Sequence, residues 1–505
     1  MATSQAEPAT ELKHGAISFV DALVIGLAAT SPAYSLAAVI GPIVALVGVF
    51  APGVLLASFV PMALIASAFY YLNKVDQDCG TTFSWVTRAM GPWAGWLGGW
   101  AITMTGVLVV GSLADVGVKF AMLTFDIDPY AEGRQPLVIA LSLLLVLVLT
   151  AICVVGTEAS AKLQNALIVV QVGSLLVFAA VSIFRVITDD SSLDAMNPSL
   201  SWMNPFGEGG AALTGGLLLG VFAYWGWESA VNLTEETTDS ASAPGLAGVW
   251  STFILLVTYI SVAFAIVAYA GTAYLRDNKD EEEAIFAILS TEVLGGWDWI
   301  LMLSVSTAAI ASTQTTIIPA SRTALSMARR HALPSVFGTI HPRFRTPHVS
   351  TWAVAAIAGV WYVVVSLISE NALFDSLTAL SLLIAFYYAL TGVACAVYYR
   401  RHLLDNAKNL ILIGIGPVVG SGLLGWLLVE SIGDQADPEN SYSGQSWFGV
   451  GPPLVIGLFI FVVGIVLMVT WRIKDGRYWR ERPGVADPAV VRGDKAPAGT
   501  KGVDR

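Results

Sequence analysis

Apolar runs of roughly membrane length alternate along this chain with short polar islands. About twelve such windows open near Ile17, Gly53, Trp93, Pro136, Leu163, Ala211, Leu246, Trp297, His348, Leu373, Leu410 and Pro453. Each is close to the ~20 residues that a helix needs to cross a bilayer. A soluble chain with a few buried helices would not repeat the pattern so often. The pattern predicts an all-α membrane protein of about twelve transmembrane helices.

Two windows are poor spanning helix. The first is broken at Ala29-Thr30-Ser31-Pro32-Ala33-Tyr34, where two hydroxyls and a proline sit inside an apolar run. Proline has no N–H and clashes with the preceding turn, so it disfavours a continuous helix. The sixth holds Tyr224-Trp225-Gly226-Trp227-Glu228, a glycine between tryptophans followed by a carboxylate. Taken singly, the first could be a proline kink and the second close packing at Gly226. Each of the two windows opens a group of five. Interrupted segments at corresponding positions of two halves point to a binding site between inverted repeats. The freed N–H groups would attract an anion and the freed carbonyls a cation, a pairing that suits a small zwitterion. The implied layout is an N-terminal segment 1–14, five-helix repeats over 15–187 and 211–401, two further helices within 402–475, and a tail from 476. Helices one and six are the discontinuous ones.

Composition supports this reading. Only 12% of the 505 residues are charged and 55% are hydrophobic, with a mean hydropathy of +0.70, whereas soluble proteins carry about 25% charged residues. With the N-terminus in the cytoplasm, Lys119, Arg134, Arg185, Arg276 and Lys279 fall outside. Most other basic residues then fall inside, as the positive-inside rule requires. The net charge of -11 is divided between the faces and identifies no partner. We expect both termini in the cytoplasm, a multi-pass position in the plasma membrane and no nucleic-acid partner. Oligomeric state is not readable.

Other chemistry is constrained too. Cys79, Cys153 and Cys395 are isolated, so no disulfide frame or metal motif is visible. His14, His331, His341, His348 and His402 all fall near the cytoplasmic side, which leaves none at mid-membrane for haem or zinc. No lysine follows a glycine, so the phosphate-cradling loop pattern is absent. We therefore expect no cofactor and no enzyme activity. Asp21 reads as a cap on the first helix, Asp115 and Lys119 as an i,i+4 pair, and Arg329, Arg330, Arg343 and Arg345 as topology anchors. The tail from Gly476, rich in Arg, Pro and Gly, reads as disordered.

Four motifs together resemble the amino acid–polyamine–organocation permeases, over roughly Lys13 to Arg401. "GAISFVDALVIGLAATSPAYS" (15–35) is similar to that family's first helix, and "GTTFSWVTRAMGPWAGWLGGW" (80–100) to its segment between helices two and three. "FAYWGWESAVNLTEETTDSASAPG" (222–245) resembles the helix-six signature, and "SRTALSMARRHALPSVFGTIHPRFRTPHVS" (321–350) the loop joining helices eight and nine. The resemblance implies a five-plus-five inverted-repeat core with substrate at mid-membrane. By position it implies that Thr30, Ser31 and Ala33 hold a substrate carboxylate, while the Ala28 carbonyl receives the amine. Phe222 would be the lid, Ala223 and Trp225 the helix-six backbone beside the substrate, and Glu228 the acidic gate. One departure is that Thr30 and Pro32 stand where many relatives have glycines.

The expected function is secondary transport of amino acids or close amine metabolites by alternating access. A membrane-embedded enzyme and a non-transporting nutrient sensor are the rival readings. The coupling ion is H+ or Na+. Some proton-coupled relatives place a lysine in helix five, and the matching residue here is Gln171, which cannot titrate. Two routes remain. Glu228 could carry a proton, or Ser312 and Thr313 could complete a sodium site with carbonyls of the helix-one break. We expect the proton, because Glu228 is already a titratable group at the break.

Overall fold

The computed structural model describes residues 11–191, 193–277, 282–368, 370–441 and 443–487. The helices, in order, are α1 (Phe19–Thr30), α2 (Pro32–Val47), α3 (Ala51–Val75), α4 (Thr82–Met90), α5 (Pro92–Thr124), α6 (Gln135–Val155), α7 (Thr157–Ile187) and α8 (Ala211–Ala223). After a 3₁₀ segment, Trp227–Glu236, come α9 (Ala243–Asp277), α10 (Glu282–Leu294), α11 (Trp299–Arg329), α12 (His348–Ile368) and α13 (Glu370–Tyr398). The last are α14 (Ala407–Asn409), α15 (Gly416–Asp434) and α16 (Pro452–Lys474). Among the described residues, ten helical stretches are long and apolar enough to cross a membrane. The number falls below twelve for two reasons. One stretch, Phe19–Val75, contains the first two windows, and the sixth window stops as a helix after Ala223.

The helix boundaries follow local chemistry. Pro52, Pro92, Pro136, Pro417 and Pro453 occupy first or second helical positions, where a missing N–H costs nothing. Asp21 is the cap that the sequence suggests. Its carboxylate accepts from the Ser18 N–H and hydroxyl, the Ser18 hydroxyl accepts from the Asp21 N–H, and Asn165 of α7 donates to the other carboxylate oxygen at 2.7 Å. Helices α5 and α11 form the central packed pair. Small residues permit it, since a Cβ on Gly106 would lie 2.8 Å from that of Ala320. Leu144, Leu147, Val169, Val360, Leu367 and Val466 remain exposed, an apolar belt that needs a bilayer around it. This is a multi-pass membrane protein.

Charged groups outside the apolar belt are more structural than the sequence suggests. Near one end of α5, Asp115 and Lys119 pair at 3.0 Å, and Tyr362 donates to the same carboxylate. On the face that carries residues 11–18, here termed the N-terminal face, Arg322 makes a bidentate pair with Glu236 at 2.6 and 3.0 Å. Arg329 pairs with Glu235 at 2.8 Å. Arg330 lies 3.7 Å from Asp78 and 3.5 Å from Glu481. Burial alone would push the Asp78 carboxyl up, but Arg330, the Ser326 hydroxyl and the Gly80 N–H hold it below its ordinary value. Arg329 and Arg330 therefore hold specific partners. Arg322 and Glu236 are both nearly fully buried, so Arg322→Ala, which removes the bidentate partner of a buried carboxylate, should cost about 3–5 kcal/mol. Arg329→Ala, at a part-exposed pair, should lower the melting temperature much less.

The expected disorder of the tail is corrected for its first part. Tyr478 is buried, stacks on Phe83 at 5.5 Å and donates to the Pro92 carbonyl at 2.9 Å. Residues 476–487 follow the N-terminal face because an aromatic pair and backbone hydrogen bonds outweigh their polar composition. Residues 488–505 lie outside the described residues.

Candidate functional site

The first helix breaks at a single residue. Ser31 takes the left-handed conformation, φ 55° and ψ 67°, and Pro32 is the first residue of α2. The Ser31 N–H closes α1 on the Leu27 carbonyl at 3.1 Å. Pro32 has no N–H to give back to α1, so the Ala28, Ala29 and Thr30 carbonyls leave the helix without backbone partners. Two find side chains. Ser312 of α11 donates to Ala29 at 2.7 Å, and Ser35 donates to Thr30 at 2.6 Å. The Ala28 carbonyl has no hydrogen-bond partner among the described residues. The Ser31 hydroxyl is fully buried and also has none. Ala33 follows in the first turn of α2, where the leading N–H groups have no intrahelical acceptor. An unpaired carbonyl, a hydroxyl and a helix N-terminus thus lie within one turn of each other.

The second break meets the first. Helix α8 ends at Ala223, the chain turns through Tyr224–Gly226, and the 3₁₀ segment begins at Trp227. Gly226 has φ 120°, and a Cβ there would sit 2.8 Å from the backbone of Ala29 and Thr30. The breaks are therefore in backbone contact, and only glycine fits the crossing. The Ala223 carbonyl accepts from the Tyr259 hydroxyl at 2.7 Å. Phe222 is buried and lines a small cavity. Ala38, Val39, Leu218, Leu219, Leu377, Thr378 and Ser381 complete the lining.

Glu228 is buried at the start of the 3₁₀ segment. Tyr387 and Tyr388 of α13 each donate to one of its oxygens, and the Gly226 N–H donates at 3.2 Å. The Trp225 indole donates to the Tyr387 hydroxyl at 2.5 Å. A side chain at the break is thereby linked through one phenol to the carboxylate. Glu228 forms no ion pair among the described residues. Three neutral donors, rather than a cation, therefore hold it.

The remaining predicted residues divide. Ser312 reaches the helix-one break, whereas the Thr313 hydroxyl returns to Ala309 of its own helix at 2.8 Å. The Thr30 hydroxyl likewise returns to Gly26 at 3.0 Å. Neither hydroxyl points out of its helix in this arrangement. Gln171 is fully buried in α7, and its main-chain carbonyl accepts from the Ser174 hydroxyl at 3.0 Å. The tyrosine pair was missed in sequence. Its signal is two adjacent aromatics with polar tips deep in an apolar window, where each hydroxyl needs a partner.

The amino acid permease family profile matches residues 16–448. An uncharacterized transporter of Mycobacterium tuberculosis is 25% identical over 304 residues, or 58% of this chain and 63% of that protein. The match therefore spans less than two thirds of that relative. The methylthioribose transporter of Bacillus subtilis is 22% identical over 63% of this chain and 62% of its own length. The branched-chain amino acid permease BcaP of Lactococcus lactis is 25% identical over 79% of this chain and 85% of its own length. The family match covers most of the chain and both helix breaks, so this protein belongs to the amino acid permease family.

Proposed function

We propose that this chain is a secondary active transporter that imports amino acids, or closely related amine metabolites, across the plasma membrane. The observation that carries the reading is the meeting of the two broken helices at Gly226. There the Ala28 carbonyl and the Ser31 hydroxyl lack hydrogen-bond partners among the described residues. A substrate ammonium would take the Ala28 carbonyl. Its carboxylate would take the Ser31 hydroxyl and the α2 N-terminus. Alternating access between five-helix repeats, 15–187 and 211–401, would expose the site to each face in turn. Both termini lie in the cytoplasm on this reading.

The reading couples transport to protons through Glu228, whose three donors accommodate a carboxylate and whose Tyr387 partner reaches the break. The sodium alternative rests on Ser312 at the Ala29 carbonyl. It is weaker because Thr313 turns back into α11. The names of the relatives favour a transporter over a sensor, and accumulation of labelled substrate in vesicles separates the two.

Two substitutions test the substrate assignment. Ser31→Ala should weaken binding by about 1–3 kcal/mol, as for a hydrogen bond to a charged group. Amidated or decarboxylated analogues should compete poorly with the wild type. Equal competition by the decarboxylated amine would remove the carboxylate assignment. Phe222→Ala should raise the apparent substrate constant strongly, and Phe222→Tyr should retain part of the activity through its ring. Unchanged uptake by the alanine variant at normal expression would reduce Phe222 to packing.

A further inference from the structure

The segment after α16 folds back across the N-terminal face instead of leaving it. Tyr478 is 1% exposed. Its hydroxyl meets Thr87 of α4 at 2.8 Å and the Pro92 carbonyl of α5 at 2.9 Å. Trp479 packs on Trp93 with ring centroids 4.8 Å apart. Further along, the Gly484 N–H donates to the Arg88 carbonyl at 2.7 Å, and the Ala486 N–H to the Tyr398 carbonyl of α13 at 3.0 Å. Ala486 is itself 1% exposed. One short segment is thus fastened to α4, α5 and α13.

A polar chain leads from this segment toward the helix-six break. Glu481 lies 3.5 Å from Arg330 at the end of α11, and Arg330 lies 3.7 Å from Asp78 in the loop between α3 and α4. The same loop is joined to the 3₁₀ segment. The Cys79 N–H donates to Glu235 at 3.1 Å, and Asn232 donates to the Cys79 carbonyl and the Thr81 hydroxyl at 3.0 and 3.1 Å. Glu228 lies in the first turn of that 3₁₀ segment. The 3₁₀ segment packs against α11, and the chain of contacts ties the two together through the Asp78 loop.

We propose that residues Tyr478–Ala486 are a clasp that sets how readily the N-terminal face opens during turnover. The clasp is built to be released. It is held mainly by two aromatic residues, one ion pair near the surface and two backbone hydrogen bonds. Its ordering entropy opposes docking along the whole segment. Undocking removes the Glu481–Arg330 contact and leaves the Asp78 loop held only by its remaining partners. Because the clasp touches neither break, its loss changes the rate of opening and leaves the substrate contacts intact.

The effect on turnover rests on the transport reading, so the test includes a readout that does not. Hydrogen exchange would be followed by mass spectrometry in the full-length protein, with Tyr478→Ala, Tyr478→Phe and Glu481→Gln compared to the wild type. Tyr478→Ala is expected to quicken exchange severalfold in 76–90 and 232–237. Tyr478→Phe, which keeps the stacked ring, should fall between it and the wild type. Initial uptake should rise in the maximal rate, with the half-saturating concentration unchanged. Glu481→Gln should shift both in the same direction and serves as the test if Tyr478→Ala fails to fold. Fast exchange confined to 476–487, with 76–90 and 232–237 unchanged, would overturn the clasp. Quickened exchange without any uptake in the wild type would leave the clasp standing and reject the transporter.

Discussion

Gly226→Ala is expected to abolish transport while leaving a folded protein in the membrane. The substitution fails in two ways at one place. At φ 120° an L side chain is strained, and its Cβ would lie 2.8 Å from the Ala29 carbonyl and the Thr30 nitrogen. Those atoms are backbone and cannot rotate away, so the two breaks must separate. Strain and overpacking together are on the order of 2–5 kcal/mol, which corresponds to at least a roughly tenfold loss of affinity. Gly173→Ala is the control, since a Cβ there meets nothing within 4 Å. Uptake and ligand-induced thermal stabilisation should both be lost in Gly226→Ala and kept in Gly173→Ala. Wild-type uptake by Gly226→Ala would show that the breaks do not need their contact.

The second large effect is expected at Glu228. If this carboxylate carries the proton, loading at the outer face requires its protonated form. Uptake then falls as external pH rises, because fewer carriers are loaded. Glu228→Gln is permanently neutral and nearly the same shape. It should keep substrate exchange and lose both concentrative uptake and the pH dependence. Tyr387→Phe removes a donor from Glu228 and the acceptor of the Trp225 indole, so it should weaken coupling more than Tyr388→Phe does. Strict sodium dependence that Ser312→Ala abolishes would reverse the assignment.

The parts of this account that could be read from the sequence are those whose cause is local. Pro32 inside an apolar run marks the first break, because a missing N–H breaks a helix wherever it sits. Gly226 between tryptophans and Glu228 in an apolar window mark the second for similar reasons. The spans themselves follow from apolar length alone. What could not be read depends on residues far apart in the chain. Ser312 meets Ala29, and Tyr387 meets Glu228, only after α11 and α13 have packed. Thr30 misleads in the opposite sense: its hydroxyl looks available, yet it returns to Gly26 one turn earlier. The tail misleads through composition. Arg, Pro and Gly suggest a solvated end, whereas Tyr478 and Ala486 find buried positions on α4, α5 and α13.

The central claim is that a proton-coupled amino acid site lies where the two breaks meet. Its most direct test is uptake of labelled neutral amino acids into proteoliposomes under an inward proton gradient, with sodium replaced by choline. The account predicts accumulation above equilibrium that collapses with a protonophore and is absent in Glu228→Gln and Gly226→Ala. Failure of the wild type to accumulate any amino acid, or accumulation only when sodium is present, would contradict it.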